Sequence, residues 1–231
     1  MSESLDGRVV LVTGASRGIG AATAGRLAAQ GATVLRVARS DMAPLANAVD
    51  FRADLADPTS RDEVVRAIQA EVGVPHVIVN NAGAFLLAPL EDTSDELLRE
   101  QVAINLEAPF AIARAFLPEM RRRGSGRHIL VGSVSDSRAF PENTAYSASK
   151  FGARGLHEVL VEEYRGSGVL CTLVSPGPTD TTVWDPFDPS LREGFVQRES
   201  MLQPSDVASA IEWVATRPAR VHVESIRVGP S

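Results

Sequence analysis

Three side chains in the second half of the chain have the types and the spacing needed to move a proton. Tyr146 and Lys150 are four residues apart, so they share one face of a helix that we predict from about Thr144 to Arg165. A phenol has an ordinary pKa of about 10, which a nearby ammonium group lowers. Tyr146 can then serve as a general acid or a general base. Ser133, 13 residues earlier, can donate a hydrogen bond to an oxygen on which negative charge develops.

The elements around these side chains must bring them to one edge of a sheet. Ser133 follows Arg127–Gly132, a stretch typical of a buried strand. Strand-like and helix-like stretches alternate throughout the 231 residues, which favours parallel strands joined by right-handed crossovers. We therefore predict an α/β fold: a single Rossmann-type doubly wound domain over residues 1–231, with a parallel sheet of about seven strands and helices on both faces. Ligands bind at the carboxyl ends of the strands in such sheets, which is where Ser133 stands.

A glycine-rich turn near the N-terminus is the second feature with chemical meaning. Thr13–Gly20 connects Val9–Val12, a predicted buried strand, to a helix-like segment from Ile19 to Gln30. A helix that begins at such a turn presents free N–H groups and the positive end of its dipole to a pyrophosphate. The alternative is a tight strand-to-helix turn that holds no ligand.

The order and spacing of these groups resemble the classical short-chain dehydrogenase/reductase family over nearly the whole chain. The glycines follow the pattern Gly-x3-Gly-x-Gly, an Asn-Asn-Ala-Gly sequence at Asn80–Gly83 follows a predicted strand, and Asn105 precedes the serine, tyrosine and lysine. The resemblance implies hydride transfer between NADP(H) and a carbonyl or alcohol, with a catalytic tetrad of Asn105, Ser133, Tyr146 and Lys150. It also implies that Lys150 holds the nicotinamide ribose, that Asn105 binds a water of the proton relay, and that the oxidised nicotinamide helps to lower the pKa of Tyr146.

The end of the second predicted strand indicates which cofactor binds. An acidic residue there would bind the ribose 2′-hydroxyl of NAD, but Val37 and Ala38 stand in its place. Arg39 follows directly, and Arg17 lies in the glycine-rich turn. Two guanidinium groups suit the 2′-phosphate of NADP, because they form charge-assisted, bidentate hydrogen bonds. We therefore expect NADP(H), the alternative being that both arginines are solvated surface residues.

The resemblance assigns further residues to the site. The predicted cofactor contacts are Gly14, Ser16, Arg17, Gly18, Ile19, Gly20, Arg39, Asp54, Leu55, Asn81, Ala82, Gly83, Tyr146, Lys150, Pro176, Gly177, Thr179 and Thr181. The predicted substrate contacts are Ser133, Tyr146, Phe85 and Trp184. In this scheme the cofactor half spans about residues 1–125, the catalytic and substrate half about residues 126–231, and a mobile lid about residues 178–203.

Composition disfavours several other classes of protein. Acidic residues outnumber basic ones by 29 to 23, which argues against a nucleic-acid partner. No apolar run approaches the roughly 18 residues of a membrane span, and the polar N-terminus lacks a signal-peptide core. A lone cysteine, Cys171, fits a reducing compartment. We therefore expect a cytoplasmic protein with a small-molecule carbonyl or alcohol as substrate, no metal and no membrane contact, and the resemblance implies a homodimer or homotetramer.

Three alternatives to a simple carbonyl reductase stay open. One is a non-catalytic regulatory protein that binds NADP(H). Another is an extended-type epimerase or dehydratase, which is disfavoured because the chain is too short for a separate sugar-binding domain. The third is an enzyme similar to the 3-oxoacyl-[acyl-carrier-protein] reductases. Those carry a Gly-rich Asp-Gly-Gly segment after the last strand, where this chain has Val228–Ser231.

Overall fold

Seven parallel strands form the centre of the computed structural model, which describes residues 3–191 and 194–231. The strands are β1 (Val9–Thr13), β2 (Thr33–Ala38), β3 (Ala48–Arg52), β4 (Val77–Asn80), β5 (Gly126–Val131), β6 (Val169–Pro176) and β7 (Ser225–Val228). Their order across the sheet is β3-β2-β1-β4-β5-β6-β7, and each neighbouring pair is parallel. The central strands are apolar and rich in β-branched residues, as expected for strands covered on both faces.

Six α-helices among the described residues cover the two faces of this sheet. They are α1 (Gly18–Ala29), α2 (Pro58–Glu71), α3 (Asp95–Val102), α4 (Ala108–Arg123), α5 (Thr144–Glu163) and α6 (Pro204–Ala215). On one face α1 and α6 pack together, and their Leu27 and Ile211 belong to one buried cluster. On the other face α2, α4 and α5 contribute Ile68, Phe116 and Leu160 to a second buried cluster. The predicted doubly wound α/β fold with helices on both faces is confirmed.

The strand order creates a crevice between β1 and β4. From β1 the chain winds outwards to β2 and β3, and from β4 it winds in the opposite direction. The connection after β1 leads to α1 on one face, whereas the connection after β4 leads to α3 and α4 on the other. The loops therefore separate at the carboxyl ends of these two strands, which is where open α/β sheets bind ligands. Both the glycine-rich turn and Asn80–Gly83 lie at this point.

The start of α3 differs from its sequence signal by one residue. The pattern Thr93-x-x-Glu96 predicts a capping box, but the cap is Ser94, whose hydroxyl accepts a hydrogen bond from the Leu97 N–H at 3.2 Å. Thr93 instead donates to the carbonyl oxygen of Pro89 at 2.9 Å. The hydroxyl of Thr93 is thus used by the short turn that precedes the helix, which the sequence pattern does not reveal.

A π-helical segment, Ala103–Glu107, interrupts the helical run between α3 and α4. The sequence pattern predicts a helix that continues to Met120, and the family resemblance implies a kink at Asn105. The wide turn lies at that residue. A π-helical turn contains one more residue than an α-helical turn, so the side chains after it point in different directions than in a continuous α-helix. Asn105 is buried, so the widened turn places a polar amide in the interior where it needs partners.

The helix that carries Tyr146 and Lys150 is α5, the longest helix in the described part of the chain. It begins at Thr144 as predicted and ends at Glu163, two residues before the predicted end. Such a difference is usual, because helix ends fray and have no sharp sequence boundary. No helix formed by the described residues is long and apolar enough to cross a membrane.

The turn between β1 and α1 is closely packed around its glycines. Gly14 and Gly18 have positive φ angles of 66° and 54°, a conformation that residues with a side chain rarely adopt. Gly20 lies inside α1 and is needed for a different reason. A Cβ at Gly20 would overlap the carbonyl oxygen of Gly14 and would come within 2.5 Å of Asn81 Nδ2. Gly20 thus allows α1 to pack against both the turn and the end of β4.

Two alanine substitutions within α1 should have opposite effects on stability. We expect Gly20→Ala to lower the free energy of unfolding by about 1–3 kcal/mol, because the new methyl group forces a backbone shift in a packed region. Gly25→Ala should raise it by up to about 1 kcal/mol, because alanine favours the helix more than glycine does. A Cβ at Gly25 would meet no atom within 4 Å. Urea unfolding of both variants measures the two effects, and equal values would contradict the packing argument.

Candidate active site

The carboxyl ends of the strands surround a cavity of about 1300 Å³. Every predicted site residue except Gly20 lines it, and they come from the loops after β1, β2, β3, β4, β5 and β6 and from α5. Gly20 is a correction to the predicted cofactor contacts: it is buried against Gly14 and Asn81 rather than facing the cavity. Its role is to support the shape of the turn that lines the cavity.

The glycine-rich turn is held at the mouth of the crevice by the residues after β4. The Thr13 hydroxyl accepts hydrogen bonds from the Asn81 and Ala82 N–H groups, both at 3.0 Å. The Asn81 side chain donates to the carbonyl oxygens of Thr13 and Gly14, at 3.0 and 3.3 Å. These bonds fix the start of α1 beside the cavity. No described side chain caps that helix or places an acidic group in its first turn, so its N–H groups and its dipole are available to an anion.

Positive charge lies where the sequence predicted it, at the end of β2. Arg39 and Arg17 both line the cavity, and both are exposed. The Arg39 guanidinium lies 3.6 Å from Asp54 Oδ2. Asp54 itself is oriented by hydrogen bonds, because its Oδ1 accepts from the Ala56 N–H at 3.0 Å. An exposed ion pair of this kind is weak, so Arg39 can exchange its partner for a more strongly charged ligand.

Asn105 joins three parts of the site. Its Oδ1 accepts a hydrogen bond from the Ala84 N–H at 3.1 Å, and its Nδ2 donates to the Ala84 carbonyl oxygen at 3.0 Å. Nδ2 also lies 3.0 Å from the hydroxyl oxygen of Ser149 on α5. The amide thus ties the loop after β4 to the helix that carries Tyr146. Its expected part in a water relay stays a prediction.

Ser133, Tyr146 and Lys150 are adjacent at the end of β5. The side chains of Ser133 and Tyr146 are hydrogen-bonded to each other. Lys150 is buried, its Nζ donates to the Val131 carbonyl oxygen at 3.1 Å, and the same atom lies 5.7 Å from the centre of the Tyr146 ring. The structure thus places a hydroxyl donor, a phenol and an ammonium group together, as the sequence predicted.

The pKa of Tyr146 differs from the sequence-based expectation. Burial raises the pKa of this phenol to about 12, and the hydrogen bond with Ser133 opposes the rise only in part. The expected lowering of this pKa by Lys150 is therefore wrong for the protein by itself: burial dominates, and the group that opposes the rise is Ser133. Burial also lowers the pKa of Lys150 to about 8. Near neutral pH the phenol is consequently protonated, and the lysine is close to its titration range.

An aromatic wall stands beside Tyr146. The centre of the Phe85 ring lies 4.9 Å from that of Tyr146, 5.0 Å from Trp184 and 5.7 Å from Phe187, all with edge-to-face geometry. Trp184 also packs against Phe195, and its indole N–H donates to the Thr179 carbonyl oxygen at 3.1 Å. Phe85 and Trp184 were predicted substrate contacts, and both line the cavity. Positions 192 and 193 of the predicted lid lie outside the described residues.

Sequence reasoning missed three polar residues of the site. Asn143 and Ser135 line the cavity, and the Asn143 amide donates to the Ser135 hydroxyl at 3.1 Å. Asp136 is buried behind Ser133. Signals for two of them existed: Asn143 precedes a helix, and Ser133-x-x-Asp136 has the form of a capping box. Those signals predict capping, and only the folded chain places these groups at a cavity.

Comparison with known proteins shows the family to which the chain belongs. Residues 8–191 match the family described as short chain dehydrogenase. The chain belongs to the short-chain dehydrogenase/reductase family. Two relatives in this family have named activities. The 3-oxoacyl-[acyl-carrier-protein] reductase MabA of Mycobacterium tuberculosis is 32% identical over 215 residues, which cover 92% of this chain and 87% of that protein. The D-threitol dehydrogenase of Mycolicibacterium smegmatis is 33% identical over 230 residues, which cover 93% and 88%.

Solved structures of other short-chain dehydrogenases/reductases have the same fold. A metagenomic short-chain oxidoreductase in complex with NADP is 30% identical and has a TM-score of 0.82, with 99% of each chain covered. The serine dehydrogenase of Escherichia coli is 26% identical with a TM-score of 0.82, and the match covers 96% of this chain and 97% of that one. This chain is therefore similar along its length to oxidoreductases.

Proposed function

We propose that this short-chain dehydrogenase/reductase reduces a ketone or aldehyde with NADPH, or oxidises the corresponding alcohol with NADP⁺. The observation that carries the proposal is the group formed by Ser133, Tyr146 and Lys150 at the end of β5. This group lies in the same cavity as the uncapped start of α1. The reaction needs a proton donor for the substrate and an anion site for the pyrophosphate of the cofactor, and this cavity contains candidates for both.

The residues that line the cavity fit NADP(H). The free N–H groups at the start of α1, those of Gly18 and Ile19 included, would hold the pyrophosphate, and Arg17 and Arg39 would hold the 2′-phosphate. Asp54 and Leu55 would border the adenine, and Lys150 the nicotinamide ribose. The loop after β6, with Pro176, Gly177, Thr179 and Thr181, would border the nicotinamide. The bound NADPH would supply the hydride.

The protein's own residues would then handle the oxygen of the substrate. Ser133 would donate a hydrogen bond to the carbonyl oxygen, where negative charge develops. Tyr146 would give its proton to that oxygen, and a phenol with a pKa of about 12 is fully protonated for this step near neutrality. In the direction of alcohol oxidation Tyr146 must first lose that proton, so oxidation should become faster as pH rises.

The aromatic wall supports an apolar carbonyl compound as substrate. Phe85, Trp184 and Phe195 line the cavity next to Tyr146, together with Leu86 and Leu87. Burial of each ligand CH₂ group against such a surface contributes about 0.8 kcal/mol. A 3-oxoacyl chain is one compound of this kind, and the similarity to MabA favours it as a second candidate substrate. The apolar wall offers few hydrogen-bond partners to a polyol such as D-threitol, so it favours such a substrate less.

The assembly and domain organisation remain part of the proposal. We expect residues 1–231 to act as one unit with cofactor and catalytic halves that meet near residue 125. A homodimer or homotetramer is supported by large apolar side chains that stay exposed on α3, α4 and α5. These are Leu98, Phe110, Phe151 and Val159.

Removal of the phenol hydroxyl tests the proposed mechanism. We expect Tyr146→Phe to lower kcat for ketone reduction by at least about a hundredfold, because it removes the group that gives the proton. The Kd for NADPH should stay nearly unchanged. The measurement is the loss of NADPH absorbance with a panel of aliphatic and aromatic ketones.

The matched control is Tyr164→Phe, since Tyr164 is the second of two tyrosines in the chain and packs under Arg121 outside the cavity. It should keep turnover close to that of the native protein. Near-native turnover of Tyr146→Phe would refute the mechanism. Binding of NADPH with no turnover by the native protein on any compound of the panel would favour the non-catalytic regulator.

Cofactor choice is tested at Arg39. We expect Arg39→Ala to weaken NADPH binding by about tenfold or more, because the variant loses one charged hydrogen-bond donor to the 2′-phosphate. NADH binding should stay nearly unchanged. Arg52→Ala is the control, because Arg52 lies on the neighbouring strand β3, pairs with Asp41 and does not line the cavity. Fluorescence titration with both cofactors gives the values. An equal loss for NADPH and NADH would show that Arg39 does not recognise the 2′-phosphate.

A further inference from the structure

Asp136 is a completely buried carboxylate next to the candidate active site, and the proposed mechanism does not use it. It ends the short helical turn that begins after Ser133. Charged side chains are rarely buried without partners, because loss of water strongly destabilises the charge. The partners of Asp136 therefore indicate what its burial achieves.

Two hydrogen bonds and one ion pair hold the carboxylate in place. Its Oδ2 accepts a hydrogen bond from the Ser133 N–H at 3.2 Å and another from the Ser175 hydroxyl at 2.5 Å. Its Oδ1 lies 3.5 Å from the guanidinium of Arg154. A Cβ at Gly132 would come within 2.5 Å of Oδ2, so the glycine provides the space that the carboxylate occupies. The chain around Ser133 is thus fitted to a carboxylate at this position.

The charge of Asp136 reaches the groups that would carry the reaction. Arg154 of α5 pairs with the carboxylate, and β6 contributes the uncharged Ser175. Tyr146 and Lys150, also on α5, are the other titratable groups that its charge affects. Burial lowers the pKa of Lys150 to about 8, and the negative charge of Asp136 opposes that fall. Asp136 also raises the pKa of Tyr146. The carboxylate therefore favours the cationic lysine and the protonated phenol.

We propose that Asp136 is a positioning residue for the reaction: it fixes the backbone of Ser133 and supplies the negative charge that keeps buried Lys150 a cation at neutral pH. The proposal rests on the proposed function, since Ser133 and Lys150 have their roles there. Without this charge the ammonium would still donate to the Val131 carbonyl oxygen, but it would lose its proton more easily because no negative charge would oppose the effect of burial. A neutral lysine would bring no positive charge to the proposed ribose site or to the phenol of Tyr146.

The composition of the chain allows a direct test, because Lys150 is its only lysine. Protein labelled with ¹³C at the lysine Cε gives one lysine signal, whose chemical shift as a function of pH reports the titration of Lys150 alone. This measurement needs neither substrate nor cofactor. In the native protein we expect a midpoint near pH 8.

Asp136→Asn keeps an oxygen that can accept from the Ser133 N–H and removes the charge. We expect the lysine midpoint to fall by about one pH unit, the lower end of the effect of a nearby opposite charge. The matched control is Glu158→Gln, which removes an exposed carboxylate from the same helix and from the same arginine, and should leave the midpoint unchanged. Should Asp136→Asn fail to fold, as judged by circular dichroism and Tm, Asp136→Ser removes the charge with a smaller side chain.

An unchanged midpoint in a folded, charge-removing variant would overturn the proposal, and so would an equal fall in Glu158→Gln. Where the native protein has turnover, the pH dependence of kcat/KM for ketone reduction should move in the same direction as the lysine midpoint. A lowered midpoint in a protein that shows no turnover with any carbonyl compound would support the effect of Asp136 on Lys150 and would count against the proposed function. The experiment thus distinguishes failure of the proposal for Asp136 from failure of the proposed function.

Discussion

The hydrogen bond from Lys150 Nζ to the Val131 carbonyl oxygen joins helix α5 to the end of strand β5. The arrangement of the proposed catalytic residues depends on this contact, because Ser133 comes from the strand side and Tyr146 from the helix side. A buried ammonium needs hydrogen-bond acceptors, and the last carbonyl group of the strand provides one where the sheet ends. The position of the lysine therefore also sets the position of the phenol one helical turn earlier.

Two further polar residues keep α5 in this position. Asn105, which is buried within the π-helical segment, connects the loop after β4 to Ser149 of α5. Asp136 connects the turn after β5 to Ser175 of β6 and to Arg154 of α5. Each buried polar group is satisfied by partners from other elements, which is how a polar network specifies a single arrangement. The aromatic wall packs beside the phenol, whose pKa is raised by burial.

Much of this molecule could be predicted from its sequence, since the decisive signals are local. The apolar runs, the glycine-rich turn and the spacing of Tyr146 and Lys150 predict the sheet, the crevice and the shared helix face. What could not be predicted depends on contacts between distant segments. The pKa of Tyr146 rises because the folded chain buries the phenol, and Phe85, far away in the sequence, is one of the groups that pack beside it. Gly20 is buried because the Gly14 carbonyl group and the Asn81 side chain pack against it. The sequence shows Asp136 only as a capping residue, and its burial depends on contacts with β6 and α5.

We propose that this chain transfers a hydride to a carbonyl carbon and a proton to its oxygen. Isotope transfer tests it most directly: NADPH carrying deuterium at both C4 positions is incubated with the protein and apolar ketones, and the products are examined by mass spectrometry and NMR. We expect an alcohol with one deuterium on the carbon that bore the oxygen, formed in step with NADP⁺. An alcohol without deuterium, or oxidation of the cofactor with no alcohol formed from any ketone, would contradict it.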